Sequence, residues 1–358
     1  MKRFVALVTA IVSAFACVCL MTGCSGAQKA EDAPCSSGSI VSYNGTLYYS
    51  GFGYIPSTNA EVQGATKIPI ETSNFLIYQD MVYYTVSPDG TAGDSPVKLR
   101  SCKLDGSDDN VVSTDIAPQS RFYVVDGNLV YEHYDKSMAD PEGDGWTNDC
   151  DYWVKLDPSQ KGAKPQPLSK KKNIQVVAAN SSHLFYVKGN ATDYSGKNVY
   201  CAGLDLSGEK QVYKGSITNN QCAVDQSGNL LISDQRGKKV TTFDKDLNQL
   251  ATIETGYDSL DDSLTTLQVT PCGVFVSDPK NKVTTFDSKT GESTEHELKN
   301  GSEYYLEIQY ADDKQVVYVS SLNTDSSDDD SPAADNTALY QQNWDGSNAT
   351  QCGTWFES

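Results

Sequence analysis

The pentapeptide VTTFD stands at Val240–Asp244 and again, 43 residues on, at Val283–Asp287. The likeness is wider than those five residues. SDQRGKKVTTFD (Ser233–Asp244) aligns with SDPKNKVTTFD (Ser277–Asp287), with one residue missing from the loop. SGNLLIS (Ser227–Ser233) precedes the first copy as PCGVFVS (Pro271–Ser277) precedes the second. A turn, a strand, a short loop and a second strand therefore recur together. A period of roughly 40–50 residues marks a stacked or radial array, because one such unit cannot bury its apolar faces alone.

The same unit is readable along most of the chain. Its first element, a small turn followed by a β-rich run, appears as NGTLYYS (Asn44–Ser50), QDMVYYT (Gln79–Thr85), DGNLVYE (Asp126–Glu132), SSHLFYV (Ser181–Val187) and DKQVVYV (Asp313–Val319), besides the two already quoted. One equivalent position in each gives Tyr48, Tyr83, Val130, Phe185, Leu231, Phe275 and Val317, at intervals of 35, 47, 55, 46, 44 and 42 residues. The second element usually contains or ends in Asp: SCKLDGS (Ser101–Ser107), WVKLDPS (Trp153–Ser159), CAGLDLSG (Cys201–Gly208), VTTFD twice and QQNWDGS (Gln341–Ser347). The first unit has only ATKIPI (Ala65–Ile70), without the Asp.

Runs of Tyr, Val, Phe and Leu favour strands packed on both faces. Asn-Gly, Asp-Gly and Ser-Gly pairs supply the positive φ of tight hairpins. No segment after residue 24 carries a long apolar stripe at helical spacing. Each unit thus reads as a small antiparallel sheet of four strands, and radial stacking covers its faces while leaving only short edges. The expected fold is all-β: a single β-propeller of four-stranded antiparallel blades over residues 39–358. Seven blades are favoured; the alternative is six with a decorated terminal strand.

The matches NGTLYYS, QDMVYYT and KLRSCKLDGS resemble bacterial lipoproteins whose propeller domain is likened to that of the low-density-lipoprotein-receptor-related proteins. The resemblance spans roughly Ser39–Ser358 and implies a propeller. No YWTD tetrapeptide stands in any unit, so the receptor family's ligand-binding surface does not carry over residue by residue.

The N-terminus supplies an address. Lys2 and Arg3 precede the largely apolar run Phe4–Leu20, which ends at Met21-Thr22-Gly23-Cys24. A basic head, a short apolar core and small residues read as a secretory signal over 1–23. A Cys directly after small residues resembles a bacterial lipobox, and that resemblance makes Cys24 the lipidated first residue of the mature chain. One lipidated Cys tethers a soluble domain to the outer face of the cell membrane without embedding it. Residues 24–38, rich in small and polar side chains, read as a flexible tether. An uncleaved anchor or plain secretion are the other readings. Seven cysteines then remain: Cys35, Cys102, Cys150, Cys201, Cys222, Cys272 and Cys352. None is spaced C-x-x-C, which argues against a zinc or redox site. Buried free thiols at strand positions are expected for several.

The chain carries a net charge of −19, and loss of Lys2 and Arg3 takes it to −21. That argues against nucleic acid and anionic lipid heads as partners, since both need a basic face. A neutral or cationic partner is expected: a protein, peptide or glycan at the cell envelope, met by a monomer. Unit two inserts Val86–Pro96 between its second and third strands, unit three His133–Asp151, unit four Lys188–Asn198 and unit seven Ser321–Asn336, whereas units five and six keep that loop minimal. Insertions gathered on one face commonly mark a binding face. Tyr54, Tyr134, Trp146 and Tyr194 are its candidate ligand-binding aromatics. The stretch Asp140–Asp151 resembles the D-x-D-x-D-G calcium loop. Asp140, Glu142, Asp144, the carbonyl of Trp146, Asn148 and Asp151 would be the ligands, with Gly145 at the sharp turn; the other reading is a solvated acidic turn. G-x-S-x-G, H-E-x-x-H and Walker motifs are all lacking. A binding module is therefore expected rather than an enzyme. The alternative is a propeller hydrolase or lyase acting on an extracellular carbohydrate or peptide.

Overall fold

The computed structural model describes residues 37–51, 61–72, 74–86, 97–117, 121–134, 151–160, 162–168, 174–188, 198–215, 217, 222–225, 227–234, 238–255, 267–270, 273–278, 282–301, 305–321 and 337–354. Among them every regular element is a strand. The first sheet holds β1 (Ile40–Tyr43), β2 (Thr46–Gly51) and β3 (Ala65–Glu71). Blade two holds β4 (Phe75–Tyr78), β5 (Met81–Val86), β6 (Val97–Lys103) and β7 (Asn110–Ile116), and blade three β8 (Tyr123–Val125), β9 (Asn128–Tyr134), β10 (Asp151–Leu156) and β11 (Gln166–Pro167). Blade four holds β12 (Ile174–Ala179), β13 (Leu184–Lys188), β14 (Val199–Ala202) and β15 (Lys210–Tyr213). Blade five holds β16 (Cys222–Val224), β17 (Leu230–Ser233), β18 (Lys239–Phe243) and β19 (Gln249–Glu254). Blade six holds β20 (Leu267–Thr270), β21 (Gly273–Asp278), β22 (Lys282–Phe286) and β23 (Ser293–Glu297), and blade seven β24 (Tyr305–Ala311), β25 (Gln315–Ser321), β26 (Thr337–Asn343) and β27 (Thr350–Thr354). Blades two and three also touch edge to edge, through the single pair Ile116↔His133. All seven positions aligned in the sequence fall on the second strand of a successive sheet.

The period-2 alternation of these strands explains the ring. In β17, Leu230 and Ile232 face blade four, where they meet Val177, Phe185 and Val199. Leu231 between them faces blade six and meets Phe286. Adjacent residues thus serve opposite neighbours, so a blade needs apolar side chains on both faces. Among the described residues seven such clusters occur, one at each junction between consecutive blades. The last joins β1 and β2 to blade seven through Ile40, Leu47, Tyr49, Val317, Val319 and Leu339. The ring is therefore closed by packing, and its inner strands β24, β1 and β4 lie side by side.

Hairpin chemistry matches the sequence reading. Asn44–Gly45, Gln79–Asp80 and Asp126–Gly127 all hold two successive positive φ angles, 49° and 73°, 51° and 60°, and 46° and 75°. This is the turn whose twist suits a two-residue hairpin. The Gln79–Asp80 turn lacks a glycine. Tyr43 of blade one supports it: its hydroxyl donates to Asp80 Oδ1 and accepts from the Asp80 N–H, each at 3.1 Å.

Four antiparallel strands are not present in every blade. In the first, β3 runs parallel to β2, pairing Leu47↔Ala65, Tyr48↔Thr66 and Tyr49↔Lys67, and no fourth strand is found among the described residues. The cause lies in residues 61–64. They run in the direction a third strand would take, but against blade seven. The Glu61 N–H donates to the Cys352 carbonyl at 2.9 Å. The Gln63 N–H donates to Gln341 Oε1 at 2.8 Å, and Gln341 Nε2 donates to the Gln63 carbonyl at 2.9 Å. The next segment fills the vacant place beside β2, now parallel. Pro69 is tolerated there because β3 is an edge strand.

Candidate functional site

The strand order gives the ring two unlike faces. One carries the hairpins between first and second strands and between third and fourth. The other carries the loops between second and third strands and the connections from blade to blade.

The hairpin face accounts for the repeated Asp. In VTTFD, the strand β18 or β22 delivers Asp244 or Asp287 to the turn that follows. Asp244 Oδ1 accepts the N–H groups of Asp246 and Asn248 at 2.9 and 2.8 Å. Asp287 Oδ1 accepts those of Lys289 and Thr290 at 2.8 and 2.6 Å. Asp105, Asp157 and Asp205 each take the N–H and hydroxyl of the Ser two residues on, the hydroxyl at 2.6 Å in all three. These carboxylates satisfy backbone donors that the turn would otherwise leave open. Hydroxyl donation from Ser107, Ser159 and Ser207 is the main cause that holds Asp105, Asp157 and Asp205 below the usual carboxylate range. The repeated Asp of the sequence is thus turn chemistry, spread around the ring, and among the described residues these carboxylates do not converge on a metal-holding group.

The loop face is where the chain spends its length. Residues 87–96 join β5 to β6, 135–150 join β9 to β10, 189–198 join β13 to β14, and 322–336 join β25 to β26. Residues 52–64 join β2 to β3, while blades five and six use only 234–238 and 279–281. The expected insertion points therefore all lie on one face. Residues 135–150 and 322–336 together hold ten acidic residues and one lysine, so a partner there meets negative charge. Ser320, fully buried at the loop-face end of β25, has an Oγ with no hydrogen-bond partner among the described residues.

The individual residues expected from sequence are placed as follows. Tyr134 ends β9 at the base of the 135–150 loop, but its side chain is buried, at 6% exposure. Tyr54, Trp146 and Tyr194 lie outside the described residues, as do Asp140, Glu142, Asp144 and Asn148 of the calcium-like loop. Asp151 begins β10, paired with Tyr134. Among the described residues no group of three His, Cys, Asp or Glu side chains is arranged to hold a metal ion. Cys102, Cys201, Cys222 and Cys352 are free and buried, as anticipated for strand cysteines. Burial pushes the thiols of Cys102, Cys201 and Cys352 up to about 11.

Two networks were not legible beforehand. In blade two, Arg100 Nε and one Nη reach both oxygens of Asp109, at 3.0 and 2.7 Å, and the Tyr84 hydroxyl donates to the same carboxylate at 2.8 Å. In blade four, Lys188 Nζ and the Tyr186 hydroxyl each donate to Glu209 at 2.6 Å, and the ammonium stands 4.1 Å from the Tyr200 ring centroid. Each ties the second strand to the turn before the fourth. A pairing signal was present only as lone charges separated by 9 and 21 residues.

This architecture defines the class: the chain is a β-propeller. No family model matches it, and no curated protein does. Among solved structures it is similar to TolB from Acinetobacter baumannii, at 11% identity and a TM-score of 0.42, covering 75% of this chain and 62% of that one. It is similar to an oligogalacturonate lyase in complex with manganese, at 14% identity and a TM-score of 0.46, covering 76% and 74%. A puromycin hydrolase S511A mutant matches at 10% identity and a TM-score of 0.41, covering 77% and 52%. The chain thus spans less than two thirds of the TolB and hydrolase chains.

Proposed function

We propose that the protein is a lipid-anchored, extracytoplasmic propeller that binds a protein, peptide or glycan of the cell envelope through its loop-bearing face. One observation carries this reading. The long connections between second and third strands gather on one face, while the opposite face is built of short Asp-capped turns. Rigid strands that present variable loops on one side suit recognition. The acidic excess of the two longest loops favours a neutral or basic partner. The anchor reading rests on the basic head, apolar run and Cys24.

The test uses the mature chain made soluble as Cys24→Ser, applied to glycan and peptide arrays. Specific retention is expected for one ligand class. Replacing 135–150 and 322–336 by the short connector of blade six, 279–281, should abolish it. Retention that survives this exchange and is lost on altering the hairpin face would refute the assignment.

A further inference from the structure

The first described residues place the start of the ring at an informative point. The Ser37 N–H donates to the Phe122 carbonyl at 3.0 Å, and the Phe122 N–H donates to Ser37 Oγ at 3.2 Å. Gly38 and Phe75 exchange both backbone hydrogen bonds at 2.9 Å. Ser39 Oγ donates to Gln309 Oε1 at 2.9 Å. Phe122 directly precedes β8, Phe75 begins β4, and Gln309 lies in β24. Three consecutive residues are thus seated against the inner strands of blades three, two and seven. Inner strands begin on the loop face. The chain therefore joins the ring at the loop face and beside the axis, not at the rim.

From this seat, and resting on the lipid-anchor reading of Cys24, we infer that the protein is held with its loop face toward the membrane that anchors it. Cys24 and Ser37 are 13 residues apart, which reach at most about 45 Å when fully extended. Seven sheets about 10 Å apart put the inner strands about 11 Å from the axis, and three further strand spacings put the rim at about 25 Å. Strands of this length make the ring about 20 Å tall. Turning the hairpin face to the membrane would take the chain about 14 Å outward to the rim and about 20 Å down its side, about 34 Å or three quarters of the full reach, well beyond the ~20 Å that a flexible chain of this length spans on average. Facing the loops inward uses almost none of that reach. The consequence deepens the proposed function: a partner of the loop face is a molecule itself held close to the same membrane surface, within the reach of the tether. A ligand arriving from the outer medium would find the hairpin face first.

The full lipidated protein is placed on neutral phosphatidylcholine vesicles containing an acceptor-labelled lipid. A coumarin amino acid stands either at Lys98, at the loop-face end of β6, or at Lys289, in the β22–β23 hairpin; both residues are exposed. Energy transfer from position 98 is expected to exceed that from 289 at least twofold. Inserting 30 Gly-Ser residues before Ser37 should bring the two together. Flotation with the vesicles is measured in parallel, beside Cys24→Ser. Failure of the lipidated chain to float removes both the anchor reading and this inference. Flotation with equal or reversed transfer overturns the orientation alone and leaves the anchor standing.

Discussion

Among the described residues no strand is shared between the two ends of the ring, so closure rests on the Ile40–Val317 packing and on how blade seven meets residues 61–64, and Gln341 tests the second. Its side-chain amide imitates a strand neighbour. It accepts from the Gln63 N–H and donates to the Gln63 carbonyl, at 2.8 and 2.9 Å, and it also donates to Gln315 Oε1 at 2.6 Å. Gln341 is buried. Gln341→Ala removes the partner of one backbone donor and one backbone acceptor at a part-buried junction beside the Ile40–Val317 cluster. Each group left without a partner costs about 1–3 kcal/mol, or about 2–6 kcal/mol for the two, and because both contacts are part-buried the lower half, about 2–4 kcal/mol, is expected. At about 2 °C per kcal/mol for a domain of this size, the melting midpoint should fall by about 4–8 °C. Gln249→Ala is the control. That side chain is exposed and donates only to Thr252 Oγ1, so its change should stay within about 0.5 kcal/mol. Urea unfolding followed by tryptophan fluorescence measures both, with m-values compared to confirm that the same surface is exposed. A Gln341→Ala midpoint within the scatter of the control would refute closure through this contact.

Leu231, fully buried between blades five and six, should cost about 2–5 kcal/mol as Leu231→Ala in the same urea assay, and a change under about 1 kcal/mol would contradict the packing described. Asp105, Asp157 and Asp205 have depressed folded-state pKa values. Their stabilisation is therefore present above the unfolded pKa near ~4 and is lost as pH falls through the folded values. The triple Asp→Asn variant, which keeps the acceptor oxygen but cannot titrate, should show a flatter decline in urea midpoint below pH 5, and an unchanged slope would refute the assignment. Native-state alkylation at pH 8 with mass-spectrometric mapping should leave Cys102, Cys201, Cys222 and Cys352 unmodified, because all four are buried and burial raises each thiol. Rapid modification of any one of them in the folded protein would show that its blade junction opens.

What the sequence determined by itself was the repeating unit. Alternating Tyr, Val and Leu placed the second strand of all seven sheets, and the Asp at the end of each later element marked a hairpin. Both signals are local: a strand's alternation spans a few residues, and an Asp caps donors two to four positions ahead. The clustering of insertions between second and third strands was legible for the same reason, since connection lengths are read directly once the strands are placed. The individual site residues were a different matter. Tyr134 reads as a loop aromatic in sequence, yet it ends β9 and is buried, and exposure is decided only by what the rest of the chain lays over a residue. Residues far apart in the chain settled the rest. Gln63 meets Gln341 across 278 positions, and Ser37 meets Phe122 across 85. The first of these contacts exists only when the ring closes. Once residues 61–64 lie against blade seven they cannot also pair with β2, so β3 must take that place in parallel. No local propensity encodes such a choice, because it is a competition for hydrogen-bond partners between two ends of the chain that meet only in the closed ring.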